Sequence, residues 1–184
     1  MIGLGKYATA PMSKRDIILL ANAYRKRAGY SNESPIDICK FLENELPSQC
    51  PWVNYEYDDG TLLNREIYAQ TDIVTGTIRI KNDVYIRAVN GIPRDRFTIA
   101  HEAAHSILHT GQNPLFKEYG SVRPFEDPEW QANVFAAELL APCKICKDLS
   151  IPEIVTRYNV SATVARIQKE NGEKFYGDQS EFQG

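Results

Sequence analysis

His101-Glu102-Ala103-Ala104-His105 is the stretch that decides how this chain is read. Four residues of α-helix turn about 400°, so two imidazoles at that spacing stand one above the other on one face. Such a pair can grip a single metal ion, which leaves the carboxylate between them free to work on a water held there. The surrounding segment has the marks of a helix. Pro93 suits a first helical position and Gly111 supplies a stop. Phe97, Ala100, Ala104 and Leu108 form one apolar face, with His101 and His105 beside it. The pattern H-E-x-x-H fixes only three positions, and two ordinary histidines on a half-exposed helix are the bland alternative.

Two histidines leave a zinc site one protein ligand short. Glu129 follows His105 by 24 residues, enough for the chain to turn back on itself. It opens the run Glu129-Trp130-Gln131-Ala132-Asn133-Val134-Phe135-Ala136-Ala137-Glu138-Leu139-Leu140-Ala141-Pro142, which reads as a second helix with Asp127 as N-cap and Pro128 in the first turn. Its carboxylate would complete a His2Glu set. Glu138 lies nine residues further on, about 900° of rotation, and so on the opposite face. Ala132, Ala136 and Leu140 share Glu129's side and mark it as the packed one, so Glu138 is expected to be a solvated charge. Glu126 and Asp127, in the preceding loop, stay open as alternative ligands.

Two neighbours are placed to steady the ligands. Asn133, four residues after Glu129, could orient a ligand histidine or simply pack between helices. His109 lies about 80° around the helix from His101, which suits a supporting or helix-ending role better than ligation. Tyr68, Tyr85 and Tyr119 are candidates to stabilise an oxyanion, and nothing in the sequence ranks them.

Two separated blocks carry a family resemblance. Arg96-Phe97-Thr98-Ile99-Ala100-His101-Glu102-Ala103-Ala104-His105-Ser106-Ile107-Leu108-His109 and the stretch from Glu129 to Pro142 closely resemble the ImmA/IrrE metallopeptidases. That family reads R-F-T-x-A-H-E-x-x-H-x-x-L-H, then E-x-x-A-N-x-F-A-A-x-L-L-x-P. The resemblance covers roughly residues 60–170. Ala104 stands where glycine is common and Ala141 where methionine is common; neither is a ligand position. What the resemblance implies is an intracellular, zincin-like (gluzincin-type) endopeptidase that cleaves helix-turn-helix repressors and so releases phage, mobile-element or stress genes. On that basis one Zn2+ per chain is expected on His101, His105 and Glu129, with Glu102 as general base. The expected partner is a protein, with no direct nucleic acid and no membrane.

Size and charge agree with this. The chain has 184 residues, 43% hydrophobic and 24% charged, which fits one globular domain over 1–184. A net charge of −3 offers no bulk field for nucleic acid. No run approaches the roughly 20 apolar residues of a membrane span, and Ile17-Ile18-Leu19-Leu20-Ala21 is too short for a signal core. A cytoplasmic protein is expected, and with it reduced thiols at Cys39, Cys50, Cys143 and Cys146.

The fold class expected is α+β, a small antiparallel sheet packed against a helical bundle that contains the histidine helix. Residues 1–12 read as an extended arm. A helix is expected from Lys14 to Arg27, capped by Ser13, and another from Pro35 to Leu46, capped by Ser34 and ended by Pro47. Strands are expected at 53–57, Arg65 to Gln70 and Thr77 to Lys81, the last as the sheet edge beside the cleft. Asp83 to Asn90 fits either a helix or a strand. Residues 151–168 suggest a helical hairpin of helix-turn-helix shape, and 171–184 a frayed tail. Two rival functions remain in view: a non-catalytic protein that keeps the metal fold and binds a repressor or toxin, and a DNA-binding protein that uses residues 151–168.

Overall fold

The computed structural model describes residues 6–112, 115–117 and 122–177. A short strand β1 (Lys6–Ala8) begins the arm and pairs antiparallel with β5 (Leu115–Lys117). Helix α1 (Lys14–Arg27) starts where Ser13 Oγ accepts the Asp16 amide at 3.2 Å. Next comes a continuous helical stretch: α2 (Ile38–Lys40), a π-helical turn (Phe41–Glu45) and α3 (Leu46–Gln49). Its cap is Asp37 rather than Ser34. Pro47 does not end it. The Leu46 amide reaches back to Phe41, and this wider turn takes up the bond and the space that a proline ring denies a regular helix.

The sheet corrects the antiparallel expectation. Its strands β2 (Asn54–Asp58), β3 (Ala69–Asp72) and β4 (Thr77–Lys81) lie in the order β2-β4-β3, with β4 antiparallel to β3 but parallel to β2. Thr77–Lys81 is therefore the central strand, and the edge is β3, which also begins later than Arg65. Residues 59–63 wrap around the buried Asp58, whose carboxylate accepts the amides of Gly60, Thr61, Leu62 and Leu63 at 2.9 to 3.1 Å. Those bonds hold the chain in a loop after β2.

Helix α4 (Asn82–Val89) settles the ambiguous segment, and Gly91 closes it at φ 80°. Helices α5 (Pro93–His109) and α6 (Pro128–Leu140) make the most extensive helix pair, and α6 packs on α1 from its other side. Ala100, Ala103 and Ala104 on α5, and Ala132 and Ala136 on α6, are all fully buried. Methyl side chains let helix axes approach closely, which brings the ends of longer polar side chains on the two helices together.

A short helix α7 (Cys143–Cys146) leads to α8 (Ile151–Tyr158) and α9 (Ala162–Tyr176), with Asn159 left-handed between the last two. The tail is helical as far as Tyr176, not frayed from Asn171. Asn171 is buried, and a Cβ on Gly172 would meet the Cys143 carbonyl at 2.1 Å, so only glycine allows α9 to lie so close to α7. Residues 178–184 lie outside the described residues. All four cysteines are buried and unpaired. Among the described residues no helix is long and apolar enough to cross a membrane.

Glu138 is the largest departure from expectation. It is fully buried, not solvated. Its carboxylate accepts from Asn22 Nδ2 at 2.7 Å, Gln168 Nε2 at 2.8 Å and the Cys143 amide at 3.1 Å, tying α1, α9 and α7 to α6. Burial pushes its pKa upward, against the pull of these donors. Where the native state keeps a proton that the unfolded chain has released, stability falls as pH rises. Glu138→Leu should cost roughly 2–4 kcal/mol in urea unfolding, because three buried donors lose their acceptor. Glu138→Gln should flatten the decline of wild-type stability as pH rises above the ordinary carboxylate value.

Candidate metal centre

The two helices place three ligand atoms together. His101 and His105 turn their Nε2 atoms toward one point, 3.0 Å apart. Glu129 reaches them from the first turn of α6, with Oε2 at 3.2 Å from His101 Nε2 and Oε1 at 3.3 Å from His105 Nε2. Asp127 Oδ1 accepts the Glu129 amide at 3.1 Å and fixes where that turn begins. Among the described residues these three side chains form the one cluster with the donor types and spacing for a metal ion.

The spacing fits a tetrahedral cation. Zinc bonds of about 2.0–2.1 Å place neighbouring ligand atoms about 3.3 Å apart, close to all three distances observed here. Two imidazole lone pairs and a carboxylate turned to one point otherwise need shared protons. Hydrogen bonds from both histidines hold the Glu129 carboxylate well below the usual range, so it stays anionic. Burial opposes charge on His101, but Glu129 and Glu102 more than offset it and raise its pKa.

Both histidines of the cluster are held from behind. Asn133 Oδ1 lies 3.1 Å from His101 Nδ1. His109 Nδ1 lies 3.0 Å from His105 Nδ1, and His109 Nε2 lies 3.1 Å from Gln131 Oε1. Burial pushes the His109 pKa down to about 4, which keeps this imidazole neutral near pH 7. Gln131 in turn donates through Nε2 to the carbonyls of Ala10 and Phe125, both at 2.8 Å. Asn133 and His109 thus stand beside His101 and His105. Glu126 and Asp127 are spent on local capping of backbone amides and do not reach the cluster.

Glu102 lies beside the ligands in a cleft of about 570 Å³, walled by Tyr7 and Thr9 of the arm and by Ala69, Gln70 and Thr71 of β3. Thr71 Oγ is 2.7 Å from Glu102 Oε2 and 2.9 Å from the Glu102 carbonyl oxygen. One carboxylate oxygen is therefore pinned to the strand. Thr71 and Gln131 escaped the sequence reading. A lone threonine on a short strand carries no signal, whereas a glutamine directly before the alanine of the packed face was a weak one. The three candidate tyrosines fare differently. Tyr68 stacks under Arg94 at 4.3 Å, Tyr85 donates to Glu43 at 2.5 Å, neither lines the cleft, and Tyr119 lies outside the described residues.

Comparison with known proteins agrees with the family suggested by the motif. No curated protein matches the sequence. Among solved structures, a Mycobacterium tuberculosis transcriptional regulator is similar at a TM-score of 0.53 and 14% identity, over 82% of this chain and 45% of that one. The chain thus spans less than half of that neighbour, and the likeness is one of fold. The family model described as the IrrE N-terminal-like domain matches residues 64–168, which include both helices of the site. This chain belongs to that family of metallopeptidases, Peptidase_M78.

Proposed function

We propose that the chain is a zinc-dependent endopeptidase in which His101, His105 and Glu129 hold the metal and Glu102 is the general base. The observation that carries this is the joint placement of three convergent ligand atoms and a strand-pinned carboxylate in one cleft. When bound, the cation would supply Lewis acidity toward a peptide carbonyl and lower the pKa of water at the site. Glu102 takes the proton of the attacking water and delivers it to the departing amine. The hydroxyl of Thr71 holds one oxygen of Glu102, leaving the other for that transfer. Asn133 and His109 keep the ligand imidazoles turned to the right tautomer.

Among the described residues β3 is an edge strand, and it lines the cleft, which favours an extended peptide laid along it through backbone bonds. A flexible loop of a folded protein meets that requirement better than a helix. The resemblance to ImmA/IrrE peptidases suggests a helix-turn-helix repressor as substrate, and the matched region supports a peptidase acting on protein. A stoichiometric binder without turnover is the competing function. Cleavage of a repressor held in large excess over the enzyme separates the two.

Glu102→Gln is expected to keep one zinc per chain, read by metal analysis, and to lose roughly 10²–10⁴-fold in cleavage rate. Retention of activity by this variant would remove Glu102 from the chemistry. Glu129→Ala should lose the metal itself. Thr71→Val should keep zinc and KM while kcat falls about tenfold, with Thr71→Ser restoring it. Cleavage is followed by mass spectrometry on helix-turn-helix repressors from the same genome.

A further inference from the structure

Behind the candidate ligands runs a buried row of hydrogen-bonding groups with a direction. It passes from His105 through His109 and Gln131 to the carbonyls of Ala10 and Phe125. His109 and Gln131 are 2% and 1% exposed, so water cannot mend a mismatch within it. Ala10 belongs to the arm whose Tyr7 and Thr9 wall the cleft. The amides of Thr9 and Met12 are bonded at 2.9 Å to the carbonyls of Glu126 and Phe125, so the arm docks on the 124–126 turn just ahead of α6.

Each group in the row has one hydrogen-bond polarity fixed by its neighbour. A cation on His105 Nε2 leaves the proton on Nδ1, which then donates to His109 Nδ1. His109 must carry its own proton on Nε2 and donate it to Gln131 Oε1. The Gln131 amide is thereby oriented with its NH2 outward, where two carbonyls accept it. In the opposite polarity His105 carries its proton on Nε2, toward Glu129, and accepts at Nδ1. His109 then donates from Nδ1 and accepts at Nε2. Gln131 must turn its NH2 inward, which sets Oε1 against the carbonyls of Ala10 and Phe125. That state leaves buried acceptors facing each other and loosens the arm.

We propose that His109 and Gln131 form a polarity relay through which metal on His105 fastens the N-terminal arm and completes the wall of the cleft. The relay rests on the metal-site assignment above but not on any peptidase activity. Linkage makes the coupling mutual: docking of the arm tightens metal binding as metal secures the arm.

The test uses the full chain, stripped of metal and titrated with zinc against a chromophoric chelator, with hydrogen exchange followed at residues 9–12. In the wild type, zinc should slow exchange at the Thr9 and Met12 amides. Gln131→Met fills the same space without the polar ends. It should weaken zinc binding about 10–100-fold and leave arm exchange fast and insensitive to zinc. Asn133→Ala also touches a ligand histidine but not the arm, so at saturating zinc it should retain the arm response. Equal zinc affinity in Gln131→Met and wild type would overturn the relay. So would wild-type arm exchange that is the same with and without zinc, a comparison that needs no variant to fold. Failure of the wild type to bind zinc at all would instead sink the metal-site assignment, and the relay with it.

Discussion

Everything at this site depends on how closely α5 and α6 approach. The candidate ligands come from two separate helices, and a carboxylate on α6 can meet imidazoles on α5 only if the helix axes lie near one another. Alanines at 100, 103, 104, 132 and 136 make that approach available. By helical spacing Ala104 lies on the side of α5 that carries the histidines, and Ala132 and Ala136 on the side of α6 that carries Glu129, so a larger side chain at any of these three would open the gap between the helices and move Glu129 away from His101 and His105 together. The packing of the core and the geometry of the ligands are therefore one constraint, and the buried methyl groups are as much part of the site as the side chains that face the cleft.

Helix α6 serves two environments. Its first turns carry Glu129, Gln131 and Asn133 toward the site, while its last turns carry Glu138 into the junction with α1, α7 and α9. Nearby, Arg25 is also fully buried and donates to the carbonyls of Leu139, Ser31 and Ser34, which closes the end of α6. Fixing the far end of the helix with charged and amide groups, rather than with apolar contacts alone, sets its position along the axis as well as around it.

Much of this was legible from spacing. His101 and His105 share a face by helical arithmetic. Glu129 was reachable because a cap and a proline marked the start of its helix, and Asn133 because it follows Glu129 by one turn. What stayed hidden depended on neighbours distant in sequence. The nine-residue separation did place Glu138 opposite Glu129, but the inference that the opposite face meets water fails for a helix packed on both sides. Short links between strands suggested antiparallel pairing throughout, but β4 enters between β2 and β3, so its partner on one side runs parallel. Pro47 looked like a helix end, and the π-helical turn before it had no signature among the residues that form it. Thr71 became visible only when the strand order brought β3 against the histidine helix.

The chain contains three histidines, and all three stand in the row behind and around the candidate ligands. The protein thus carries a built-in reporter. Every imidazole resonance in a nitrogen-15 histidine-labelled sample comes from the site, with no background from elsewhere in the molecule, and the two nitrogens of each ring distinguish protonated from bare positions directly.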